Sequence, residues 1–154
     1  SRIQRRVYRA VDALLAAQSF EELIRCVADD LPSQFDVAKV VLCIETDKPL
    51  PDGAENAGLM VLPPGTINRF GDIHRLVLLL ANTKGDKALF GGSAGKIQSM
   101  AHLRLDFGAK APRGLLTLGS TEPDAFDPNQ STDLLAFFAQ VLERCVQRWL
   151  NGDL

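Results

Sequence analysis

Long terminal helices around a mostly antiparallel sheet, an α+β arrangement, are predicted by three features of this 154-residue chain. Residues 114–120, GLLTLGS, are a short apolar run ending in Gly and Ser, which suits a strand buried on both faces. From Leu134 the apolar positions Leu134, Leu135, Phe138, Val141, Leu142, Cys145 and Trp149 form a helical stripe wide enough to pack on a sheet. Between these ends the periodicity runs helix, helix, three strands, a glycine-rich crossover, two strands, helix.

Ile3, Val7, Ala10, Val11 and Leu14 recur at helical spacing and predict a helix from residue 2 to about 17. Ser19 opens the next one. In Ser19-Phe20-Glu21-Glu22 the serine hydroxyl takes the third amide and the glutamate reaches back, a capping box. Phe20, Leu23, Ile24, Val27 and Leu31 form the buried face of that helix, and Pro32 is expected to follow its end. Over residues 37–45, Ala38, Val40, Leu42 and Ile44 alternate with Val37, Lys39, Val41, Cys43 and Glu45. Both faces are mostly apolar, so this strand is expected in the centre of the sheet.

Residues 46–58 carry prolines, glycines and acids and read as a long loop before a short strand at 59–62. Pro63-Pro64-Gly65 ends that strand, residues 66–70 read as one helical turn, and 76–81 as a third strand. Turn chemistry follows at 82–86, and 87–96, with three glycines, is expected to be irregular. Ala101, Leu103, Leu105 and Phe107 then alternate with His102, Arg104 and Asp106, a half-buried strand with one polar face. A turn at 108–113 leads into GLLTLGS.

A hydrophobic fraction of 46% without a long Ser, Gly or Pro linker predicts one domain over residues 1–154. The chain opens at Ser1 directly into helical sequence, so the first helix, residues 1–17, is expected to continue upstream. A net charge of −2 and a pI near 5.6 argue against a general nucleic-acid or anionic-membrane surface. Cys26, Cys43 and Cys145 are widely spaced and form no CxxC pair, which suits a reducing compartment. With no signal peptide and no run of 18 apolar residues, a cytoplasmic location is expected.

Gly91-Gly92-Ser93-Ala94-Gly95 satisfies G-x-S-x-G, the pattern of a serine-hydrolase elbow. An elbow needs a buried strand directly before it, and only Ala88-Leu89-Phe90 is available; His74 and His102 are the only partner histidines. A phosphate loop fails too: the residue five before Gly95 is Phe90, and Ile97 follows Lys96 where Ser or Thr should hold magnesium. Consecutive glycine amides near Lys96 still suit a small anion. Two isolated histidines are too few for a metal site.

Arg104 shares a strand face with His102 and Asp106. Facing a pocket it would grip a carboxylate or phosphate through two parallel bonds; the competing reading is a solvated sheet face. Arg2, Arg5, Arg6 and Arg9 make a basic stripe on the first helix, open to DNA, an acidic partner or a coiled coil, with a solvated helix face as the plainer reading.

GLLTLGS, the following Pro123, Phe126 and Pro128, TDLL at 132–135 and RCVQRWL at 144–150 resemble the uncharacterised bacterial family called domain of unknown function 484, within the GAF superfamily. PPGTINRF from Pro63 and ALFGG from Ala88 resemble the middle of that family. The resemblance implies a sheet of five or six strands with the first and last helices packed together on one face. On the other face it implies a pocket closed by roughly residues 63–100, and it implies dimerisation through the terminal helices.

Cyclic-nucleotide GAF domains carry an Asn-Lys pair with a spaced Phe and Asp, of which Asn82, Lys84 and Phe90 are a compressed, incomplete form. The pocket cysteines of bilin-binding and sulfoxide-reducing relatives are missing. The implied function is a non-catalytic sensory or regulatory module, homodimeric, binding an unidentified small molecule, with no catalytic residue, metal or cofactor named. Its ligand residues are then Thr66, Asn68, Arg69, Ser93, Lys96 and Arg104 as polar anchors and Phe90 as an apolar wall. The alternative is an interaction scaffold whose pocket is filled by residues 76–80, Leu89 and Phe90.

Overall fold

The computed structural model describes residues 2–70 and 74–150. The side chains of Arg2 and Ile3, which belong to the basic and apolar stripes above, lie outside that description. Helix α1, Arg2–Ala16, turns Val7, Ala10 and Leu14 into the core and leaves Tyr8 and Leu15 exposed at 56% and 60%. Helix α2, Phe20–Arg25, starts as its sequence predicts: Ser19 Oγ accepts the Glu22 amide at 3.0 Å. The return bond differs from a capping box, because Glu22 Oε2 accepts the amide of Gln18, one residue earlier, at 2.7 Å.

The expected stop at Pro32 does not occur. After α2 a π-helical turn, Cys26–Asp30, leads into α3, Leu31–Phe35, and Pro32 falls in the first turn of that last segment. The Leu31 N–H bonds to Cys26 O in the widened turn, and the chain continues helically past Pro32, which has no N–H to give to the preceding turn. The helix ends at Asp36, which adopts the left-handed conformation at φ +55.

Among the described residues five strands, β1 (Lys39–Glu45), β2 (Met60–Leu62), β3 (Val77–Leu80), β4 (Ser99–Asp106) and β5 (Arg113–Ser120), form one sheet in the order β2-β1-β5-β4-β3. The pairs β1–β5, β5–β4 and β4–β3 are antiparallel, and β1–β2 is parallel. The sheet is thus mixed but mostly antiparallel. As expected β1 is an interior strand, flanked by β2 and β5, and β5 is the middle one. Both are apolar on two sides because both faces of the sheet are covered.

Two further segments differ from expectation. The loop before β2 contains a helical turn, α4, Ala54–Ala57, bracketed by Gly53 and Gly58 at positive φ. The glycine-rich crossover is ordered as helix α5, Lys87–Phe90, followed by a 3₁₀ segment, Gly91–Lys96. Asp86 caps α5 by accepting the Ala88 amide at 2.8 Å. The final helix, α6, spans Asp133–Leu150.

Alternation along the strands divides the interior into two cores. Leu42, Ile44, Leu103, Leu116 and Leu118 face the helix layer, where Ala10, Leu23, Phe138 and Leu142 meet them. Val41, Cys43 and Leu115 face the other way, onto Ile67, Leu89, Phe90 and Ile97 from the crossovers. Gly119 is needed for this second core: a Cβ there would lie 2.7 Å from both the Phe90 ring and Ile97 Cδ1. The missing side chain is what makes room for the Phe90 ring against β5.

Candidate functional site

On the sheet face away from the terminal helices, β4 presents Met100, His102, Arg104 and Asp106, and β5 presents Gly119, Thr117, Leu115 and Arg113. The surroundings change from apolar to polar along this face. At the Met100 end it is sealed by the second core. At the Asp106 end it opens into a cavity of about 610 Å³ lined by residues including Ile67, Arg75, Leu76, Arg104, Ala111 and Arg113.

His102 sits between these regimes, 3% exposed, with its Nδ1 3.0 Å from the hydroxyl of Thr117 directly across the ladder. Phe70 packs near its ring at a centroid distance of 6.0 Å. Burial pushes the imidazole down to about 4, opposed only in part by the charge of Asp86, so it is neutral near pH 7. His102 is therefore a hydrogen-bonded core histidine.

Next along β4, Arg104 Nη2 donates to Asn68 Oδ1 at 2.6 Å, and Arg113 Nη1 donates to the same oxygen at 3.0 Å. Asn68 is delivered by a 3₁₀ turn, Ile67–Arg69, tied to the end of β1 through Glu45 Oε2, which accepts the Ile67 amide at 2.8 Å. Thr66 steadies the same turn by donating its hydroxyl to Pro63 O at 2.7 Å. The second guanidinium nitrogen of Arg104, Nη1, is buried and has no hydrogen-bond partner. Among the described residues no carboxylate lies within 4.0 Å of either arginine. Such a pair is suited to holding an oxyanion.

Of the seven residues singled out from sequence, the fold joins Asn68 and Arg104 and places Thr66 and Arg69 in the same turn. Phe90, Ser93 and Lys96 lie elsewhere. Phe90 is 0% exposed against Gly119, four residues along β5 from the partner of Arg104, or roughly 13 Å away at strand rise. It is part of the second core and does not line the open cavity. Ser93 and Lys96 belong to the 3₁₀ segment leading back to Ile97 at that same end. The segment follows a short helix, not the buried strand that a hydrolase elbow requires.

Arg113 is the site residue that sequence reading missed. Residues 108–113 read as a turn, yet counting back by two from Thr117 and Leu115 places Arg113 on the face of Arg104.

The environment of the three thiols disfavours the thiolate. Burial raises Cys43 to about 12 and Cys26 to about 11, and raises Cys145 as well. Among the described residues no three His, Cys, Asp or Glu side chains gather in a way that could hold a metal ion. No helix there is long and apolar enough to cross a membrane. The family model for proteins of unknown function DUF484 matches residues 1–151. No curated protein matches the chain.

Proposed function

This chain belongs to the DUF484 family of proteins of unknown function, and we propose that it is a non-catalytic regulatory module of GAF-like fold. It binds a small molecule in the cavity beside Arg104 and dimerises through its terminal helices. The observation that carries this reading is the cavity: at about 610 Å³ it falls in the range of small-molecule sites, with convergent polar groups and an apolar wall. A route to the helices lies close by. Glu143 of α6 accepts the Asp106 amide at 3.2 Å, two residues along β4 from Arg104. Ligand binding transmits a signal only by favouring one helix arrangement over another.

Tyr8 and Leu15, seven residues apart on α1, and Phe137 on α6 give the helix layer exposed apolar side chains that a second copy would cover. A thermal-shift screen of metabolites on the wild type and on R104Q tests the binding half. A metabolite that stabilises the wild type and not the variant is expected, and identical profiles for the two proteins contradict it. Sedimentation of L15E tests the other half, with a shift from dimer to monomer expected.

A second reading, the interaction scaffold, is favoured by Leu89 and Phe90, both 0% exposed, which help to seal the Met100 end of the second face. It predicts that the metabolite screen gives no hit and that partner binding survives R104Q.

A further inference from the structure

Arg104 and Arg113 stand on neighbouring strands, and their guanidinium groups end on a single neutral atom, Asn68 Oδ1, at 2.6 and 3.0 Å. Each guanidinium carries five N–H donors arranged for a carboxylate or phosphate edge, and one carbonyl oxygen satisfies few of them. The donor nitrogens on that oxygen are no more than about 5.6 Å apart by the same two distances, so the like charges repel at short range. Among the described residues no carboxylate comes within 4.0 Å of either guanidinium, although Glu45 and Asp106 stand opposite Arg113 on the two neighbouring strands, and Arg104 Nη1 is buried without a partner. Among the described residues Asp106 is the acid that lines the cavity, and its Oδ1 accepts the Gly108 amide at 2.9 Å. Arg75 is a third arginine in the lining.

We infer that Arg104 and Arg113 form a two-guanidinium site for the oxyanion, carboxylate or phosphate, of a small ligand, with Asn68 Oδ1 occupying the position that one ligand oxygen takes. The inference rests on the proposed use of this cavity and adds the chemical class of what enters it. Ile67, Leu76, Ala111 and Pro112 line the remaining wall and suit a modest apolar body behind the charged end. Asn68 is then a competitor: a ligand oxygen must displace it, and the turn that carries it must shift.

The test uses the full chain with sodium phosphate and sodium succinate as probes, each read by thermal shift and calorimetry against sodium chloride at matched ionic strength. Stabilisation beyond chloride is expected, with affinity at least tenfold weaker in R104Q and R113Q and unchanged in R9Q, a substitution on the exposed side of α1. N68A is expected to bind several-fold more tightly, because the internal competitor is gone. A response to phosphate alone assigns a phosphoryl ligand, and a response to succinate alone assigns a carboxylate.

Should R113Q fail to fold, R113K keeps the charge without the fork and is expected to bind more weakly than wild type; equal binding by R113K overturns the site. Equal responses in all variants, or none beyond chloride, also overturn it. N68A binding as weakly as the arginine variants removes the competition. An uncharged metabolite that stabilises the wild type but not R104Q, while both anions are inert, overturns the oxyanion assignment and leaves the ligand-binding role standing. No hit of any kind ends both.

Discussion

Glu143 Oε1 accepts the backbone N–H of Asp106 at 3.2 Å, joining the final helix to the end of the strand that bears Arg104. Burial raises the Glu143 carboxyl, and the nearby charge of Asp106 adds to this; the amide bond from Asp106 and the charge of Arg144 oppose it. A carboxyl whose folded pKa is raised contributes stability below its unfolded pKa and loses it as pH rises through the folded value. At pH 7 the ionised form is thus a small cost, while the acceptor it supplies is a gain. E143Q keeps the acceptor without the charge and is expected to match or slightly exceed the wild type in urea unfolding at pH 7. E143A is expected to lose about 1 kcal/mol with the hydrogen bond. E143Q less stable than E143A would contradict this account.

His102 supplies a pH dependence of the opposite sense. Its folded pKa, about 4, lies below the value of about 6.5 expected when unfolded. The unfolded chain then binds the extra proton between these values, so stability falls as pH drops from 6.5 to 4 and is not further affected below that. The loss attributable to this residue is about 3 kcal/mol, measurable as the difference in slope between wild type and H102N across that window. Parallel slopes would show that the ring charges without cost.

The close packing of Phe90 on Gly119 sets a steric test. G119A brings a methyl to 2.7 Å from the ring and is expected to cost about 1–3 kcal/mol, whereas F90A leaves a cavity and costs about 3–5 kcal/mol. Combining G119A with F90L is expected to cost less than the two changes added separately. Strict additivity would mean that the two sites do not touch.

Thiol chemistry gives a simpler check. Cys26, Cys43 and Cys145 are buried and raised in pKa, so an aromatic disulfide reagent at pH 8 is expected to label none of them in the native protein. All three should react in denaturant. Fast native labelling of any one would require a local opening of its helix or strand.

What the sequence made legible follows the range of the forces involved. Helix α1, helix α6 and the apolar strands β1 and β5 show in local periodicity, because one buried face imposes a repeat on neighbouring residues. The run through Pro32 was not legible, since a π turn upstream decides whether the proline ends the helix. The place of Phe90 depends on Gly119, remote in sequence and adjacent in space. For the site, the face of Arg104 could be counted along its strand, and the turn carrying Asn68 was recognised. Their meeting, and the arrival of Arg113, required the register of β4 on β5, which local pattern does not encode.

Native mass spectrometry of freshly purified wild type and R104Q, first gentle and then denaturing, tests the central claim most directly. The account predicts a wild-type dimer that releases a stoichiometric small molecule on denaturation, and an R104Q protein of the same fold that releases none. A wild type without bound molecule, unresponsive to metabolites and indistinguishable from R104Q, would contradict it and leave the filled scaffold as the reading of this fold.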